Sequence, residues 1–188
     1  MTSSLIEQPL SVQDAWITGF RQRIDPRLRE APSVAASFKA QYRDDPAAFA
    51  HDCIAWRRGE KPTAYQDEIL AALPREKRVA VRGPHGLGKS AMASWMVLWL
   101  ALTRDGEDWK SPTTAGAWRQ LTHYLWPEIR KWARQLDWKR IGREPFSTRD
   151  ELLTLNLKLR TGEAFAVASS DASLIEGAHG DCLLYIFD

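Results

Sequence analysis

Residues Gly83-Pro84-His85-Gly86-Leu87-Gly88-Lys89-Ser90 fill every fixed position of the pattern G-x-x-x-x-G-K-[ST]. No other feature narrows the possible folds as far, because this pattern works only where a strand delivers the loop and a helix leaves it. The glycines let the backbone curl until successive N–H groups point inward, and the following helix aims its positive end at the same place. Such a loop is suited to phosphate oxygens. Its flanks agree: Arg78 to Arg82 reads RVAVR, a β-branched run, and Ala91 to Leu102 carries no charge. A helix uncharged over that length must be buried on nearly every side. The pattern therefore predicts an α/β fold in which a strand, a glycine loop and a buried helix follow one another.

Within the loop, Lys89 is expected to bridge the β- and γ-phosphates, and the Ser90 hydroxyl to ligate Mg²⁺, a hard cation that takes oxygen ligands. Holding that ion calls for a further acid at the C-terminal end of a buried strand. The run CLLYIFD reads as a fully buried strand ending on Asp188, which is the candidate; its plain alternative is a polar residue closing a strand. Tyr65 and Gln66, just upstream at a helix start, offer an aromatic face and a bidentate amide suited to adenine, although both are also ordinary structural residues there. The expected ligands are therefore ATP and Mg²⁺. Arg82 stands immediately before the loop, where it either reaches a γ-phosphate or pairs with a surface acid. Thr113 and Thr114 follow a presumed strand and read as nucleotide sensors, DNA contacts or a strand-end cap. His179 lies in the turn Glu176-Gly177-Ala178-His179-Gly180 and reads first as a loop histidine.

The rest of the chain alternates helices and strands. Residues 1–33 lack clean periodicity and suggest a loosely packed arm. Helical patterning begins at Val34, and Asp45-Pro46 opens a second helix expected to end near Arg57-Arg58-Gly59. The short helix DEILAAL is expected to close at Pro74. Trp109 to Thr113 is a candidate strand, and Ala115 to Leu136 a helix kinked or split by Pro127. LLTLNLKL (152–159) alternates with a period of two residues, and Thr161-Gly162 joins it to EAFAVAS as a strand pair.

Composition excludes several classes. No segment approaches the ~20 apolar residues that span a bilayer, and the polar start MTSSLIEQPL lacks the pattern of a secretory leader, so a cytoplasmic protein is expected. A net charge of +2 argues against a strongly electrostatic nucleic-acid binder. The most basic stretch, Arg130, Lys131, Arg134, Lys139, Arg140 and Arg143, reads as a solvated helix face before it reads as a DNA surface. The two cysteines, Cys53 and Cys182, are far apart without metal-ligand spacing, and most of the nine tryptophans are spaced as core residues.

Taken in order, DDPAAFAHDCIAW, KPTAYQDEIL, VRGPHGLGKS, SPTTAGAWRQL, LWPEIRKWA and IEGAHGDCLLYIFD resemble the large terminase subunit of tailed phages and prophages, the motor that drives DNA into a capsid. The resemblance spans roughly residues 44–188, and within it the phosphate loop and the acid strand belong to P-loop ATPases as a class. It implies a three-layer α/β/α P-loop core of the additional-strand, conserved-glutamate type over residues 34–188, incomplete at its C-terminal side. In that core a strand from later in the chain separates the loop-bearing and acid-bearing strands. The resemblance further implies ATP hydrolysis coupled to translocation of double-stranded DNA, a homo-oligomeric ring, a portal protein and a small terminase subunit as partners, and a place in the bacterial host cytoplasm at the procapsid portal. A nuclease domain belongs to the family but not to these residues. The family's arginine often lies inside the loop, whereas this loop has none. Its water-orienting glutamate directly follows the strand-end aspartate, here the final residue, so the 188-residue sequence is expected to bind ATP and hydrolyse it at no more than trace rates. The competing readings are a helicase-like or clamp-loader-like ATPase of DNA metabolism and a non-hydrolysing nucleotide-binding assembly module.

Overall fold

Among the described residues a helical layer comes first, and its starts are set by side-chain caps. In a computed structural model describing residues 32–168 and 177–188, the Ser33 hydroxyl accepts from Ala36 N at 3.2 Å and opens α1 (Val34–Tyr42). The Asp45 carboxylate accepts from Ala48 N at 2.8 Å and opens α2 (Pro46–Cys53), whose first residue is a proline that needs no N–H partner there. Of the arm expected over residues 1–33, residues 1–31 lie outside the described residues.

Two helix boundaries differ from the expectation. α2 stops at Cys53, short of Arg57, because Ile54 turns extended and makes an isolated antiparallel bridge with Leu136. α3 (Ala64–Glu76) begins at a capping box formed by Thr63 and Gln66, and it runs through Pro74 to end at left-handed Lys77. Near the helix end Pro74 costs a single backbone hydrogen bond, which leaves the last turn in place.

α4 (Lys89–Arg104) leaves the glycine loop and is buried from Ser94 through Thr103, as its lack of charge demands. Three indoles, Trp56, Trp95 and Trp132, meet around it with ring centroids 5.1 to 5.4 Å apart. Trp99 donates its indole N–H to Tyr42 O at 2.7 Å, tying α4 to α1. The expected long helix after the first strand is three consecutive pieces: α5 (Trp118–Gln120), a π-helical turn (Leu121–Leu125) and α6 (Trp126–Ala133). Trp126 N reaches back to Leu121 O, one residue further than in an α-helix. This widening directly precedes Pro127, whose ring would clash with the carbonyl four residues back in a regular helix. α7 (Trp138–Ile141) follows, capped by Asp137.

The sheet is mixed. β1 (Trp109–Thr114) lies at its centre, paired in parallel with β3 (Gly162–Ala166) on one side and with β4 (Cys182–Leu183) and β5 (Ile186–Phe187). β2 (Asn156–Lys158) adds antiparallel to β3 at the edge. The hairpin predicted around Thr161-Gly162 is therefore present, shortened at both ends. Gly162 sits opposite Trp109, where a Cβ would come within 2.1 Å of the Trp109 carbonyl oxygen, so only glycine lets β3 approach this closely. α4 packs over β1 and β3, giving an α/β architecture.

Two predicted strands are corrected. RVAVR (78–82) forms no strand and lies outside the sheet, and Val81 remains 38% exposed. CLLYIFD is interrupted at Leu184 and Tyr185, and instead of being fully buried it leaves Leu183 41% and Phe187 72% exposed. Both runs line one cavity of about 710 Å³, with Ile69, Leu73 and Met92 beside them. β-Branched residues favour a strand only where a neighbour supplies ladder partners, and these runs form no ladder with each other.

Candidate nucleotide site

The loop from Gly83 to Ser90 turns twice through left-handed glycine, at Gly86 (φ 85°) and Gly88 (φ 74°). Gly88 is also the residue from which α4 starts, and its carbonyl takes the first helical bond from Met92 N at 3.0 Å. The free N–H groups of the first turn of α4 therefore issue directly from the loop. Pro84, His85, Gly86 and Leu87 are exposed at its rim. Lys89 folds back across it, donating from Nζ to Gly83 O at 2.9 Å and Pro84 O at 2.7 Å. That places the ammonium over the loop mouth.

Asp188 reaches the same place from the sheet. Its N–H donates to Thr114 O at 2.9 Å, which extends the pairing of β5 with β1 by one residue. The carboxylate then accepts from Ser90 Oγ, 3.3 Å from Oδ1 and 3.5 Å from Oδ2. Ser90 and Asp188 thus meet at the C-terminal end of β5, on the side of a parallel sheet where ligands of open α/β folds bind, and Lys89 lines the same cavity as Asp188.

These oxygens suit a hard divalent cation. Among the described residues no three His, Cys, Asp or Glu side chains form a closed metal cage. Mg²⁺ characteristically takes one or two protein oxygens and completes its shell with phosphate and water, so Ser90 Oγ and Asp188 are an adequate protein share.

The remaining candidates separate. Arg82 is exposed at the entrance to the loop and has no ion-pair partner among the described residues. Tyr65 is half-buried. Gln66 is 6% exposed, and its Oε1 already accepts from Thr63 N at 2.9 Å and Thr63 Oγ1 at 3.0 Å. Thr63 itself was missed; the spacing T-x-x-Q is the signature that would have found it.

Thr113 is fully buried, accepting from Trp126 Nε1 and donating to Phe165 O, both at 3.1 Å, so its hydroxyl is committed to the core. Thr114 Oγ1 is buried without a hydrogen-bond partner among the described residues. His179 is exposed, its carbonyl accepting from Lys110 Nζ at 2.6 Å. The basic stretch is largely spent internally. Arg130 donates to Thr154 O, Lys131 pairs with Glu128, Arg140 donates to Tyr42 and Arg143 pairs with Glu151. These partners favour a paired helix surface over a phosphate-binding one.

The cysteines take no part. Burial pushes the Cys53 thiol up to about 12, and burial together with the neighbouring Glu107 carboxylate raises that of Cys182, so both stay protonated. No helix among the described residues is long and apolar enough to cross a membrane. No family model matches this sequence, and no curated protein matches it either.

Proposed function

We propose that this chain binds Mg·ATP at Gly83 to Ser90 and Asp188, as the nucleotide-binding part of a P-loop ATPase. The observation that carries the reading is the meeting of Ser90 Oγ and the Asp188 carboxylate at the loop mouth, across 98 residues of sequence. Lys89, already over that mouth, would exchange its carbonyl partners Gly83 and Pro84 for phosphate oxygens, which make stronger, charge-assisted bonds. The N–H groups of the loop and of α4 would hold the remaining phosphate oxygens. Mg²⁺ when bound would neutralise phosphate charge, held by Ser90 and Asp188. Exposed Arg82 would approach the γ-phosphate as charge develops there. Adenine would be met from the side of half-buried Tyr65.

The terminase resemblance extends this reading to an ATPase driving double-stranded DNA into a procapsid from the host cytoplasm, in a homo-oligomeric ring with a portal protein and a small terminase subunit. The three-layer core it implies sets a further strand between the loop-bearing and acid-bearing runs. The shared cavity of about 710 Å³ between residues 78–81 and 183–188 supports that arrangement.

Titration with a fluorescent ATP analogue in Mg²⁺ is the direct test. Binding by the native chain and its loss in Lys89→Ala are expected; equal affinity in the two proteins removes the reading. Duplex DNA binding that tightens when Mg·ATP is bound separates a packaging motor from an assembly module that only binds nucleotide.

A further inference from the structure

Gln66 connects the start of α3 to the start of α4. One end of its amide is fixed, since Oε1 accepts both the backbone N–H and the hydroxyl of Thr63. The other end abuts the phosphate loop: a Cβ placed on Gly88 would lie 2.9 Å from Gln66 Nε2. The side chain is 6% exposed, so neither end swings freely into solvent. Gly88 in turn holds the left-handed turn that releases Lys89 and Ser90 into α4. An amide whose oxygen is doubly engaged cannot offer a nucleobase the paired donor and acceptor that adenine recognition uses.

We infer that Gln66 is a positioning residue for the phosphate loop: anchored by Thr63, it braces Gly88 and sets triphosphate affinity without regard to the base. The inference rests on the nucleotide site proposed above and assigns Gln66 a different task within it. It also gives Gly88 a second reason to be glycine. Besides its positive φ, a Cβ there would lie 2.9 Å from Gln66 Nε2, so the amide would have to shift away from its bracing position.

The test compares ATP, GTP and inorganic tripolyphosphate, each with Mg²⁺, on the native chain and on Gln66→Met, which keeps length and burial but removes both polar ends. All three affinities are expected to fall by the same factor, about five- to tenfold, the scale of lost hydrogen-bonded support. A fall for ATP with GTP and tripolyphosphate unchanged would make Gln66 a base reader and overturn the inference. No change for any of the three would overturn it as well. If the native chain binds none of them, the nucleotide site itself fails, and this inference with it.

A second arm does not depend on the stability of Gln66→Met. Gly88→Ala is measured alone and in a Gln66→Ala background, with tripolyphosphate affinity and thermal midpoint as readouts. The bracing contact predicts that the alanine at 88 costs less once Gln66 is shortened, because only the φ strain remains. Strictly additive effects in both readouts would overturn it, since residues that touch are coupled and independent ones are not.

Discussion

Ser90 Oγ lies 3.3 Å from Asp188 Oδ1, joining the first turn of α4 to the residue that follows β5. Neither side chain has this neighbour through local structure. Parallel pairing of β5 with β1 carries the carboxylate to the loop, and the loop's left-handed glycines carry the hydroxyl to the carboxylate.

If these oxygens are the protein's share of a Mg²⁺ shell, their removal should act only when the metal is present. Asp188→Asn is expected to lower Mg·ATP affinity about tenfold and to leave metal-free ATP binding in EDTA unchanged or slightly improved, because a negative charge near phosphate is gone. Parallel titrations in Mg²⁺ and EDTA check this. An equal loss under both conditions would assign Asp188 a structural role.

Thr113 bridges the Trp126 indole and the Phe165 carbonyl inside the core. Thr113→Val preserves the outline but leaves the buried indole N–H without its acceptor, and should destabilise the fold by ~1 to 3 kcal/mol in urea unfolding. Thr113→Ser should recover most of that loss. A valine variant as stable as the native chain would show that the bridge carries no weight.

Arg43 grips Glu107 with its two terminal guanidinium nitrogens, one at 2.7 Å. This partner first, aided by the Cys182 thiol and opposed by burial, holds the Glu107 carboxyl at about 2, below its ordinary value of 4.5. A carboxyl depressed by folding stabilises the native state above its unfolded value. The contribution should therefore be complete above pH 4.5 and lost as pH falls through about 2. Arg43 is 42% exposed, so solvent screening limits the pair to ~1 kcal/mol. Glu107→Gln should lower stability by that amount at pH 7, and the difference from the native chain should shrink as pH drops through this window. Acid titration of the unfolding midpoint checks it; a difference constant with pH would exclude the ionic origin.

Gly162→Ala places a methyl group 2.1 Å from the Trp109 carbonyl oxygen and 2.6 Å from its ring, and Trp109 is fully buried with no room to retreat. Overpacking at a backbone contact should cost ~2 to 3 kcal/mol and loosen the pairing of β3 with β1. Thermal unfolding measures the first effect and amide exchange along Trp109 to Thr113 the second. An unshifted midpoint would mean that the strands separate more easily than this register implies.

Local patterns were enough to read the glycine loop, the uncharged helix after it, the helix starts at Val34 and at Asp45-Pro46, and the turn at Thr161-Gly162, because each depends on residues within a few positions of one another. The acid at 188 was also legible, since a run of apolar residues ending on a carboxylate is a pattern in itself. What the sequence did not determine was which extended runs would pair. RVAVR and CLLYIFD have the composition of buried strands, yet the first lies outside the sheet and the second is a broken, half-exposed one, because a strand's hydrogen bonds belong to neighbours distant in the chain. The same holds for Gln66, whose amide is turned toward Thr63 and Gly88 by packing between helices, and for the basic residues of 130–143, several of which meet partners brought from elsewhere. Only the tertiary structure decides such contacts. Side-chain chemistry limits what a residue can bond to, whereas the free energy of the whole packed arrangement selects which partner it meets.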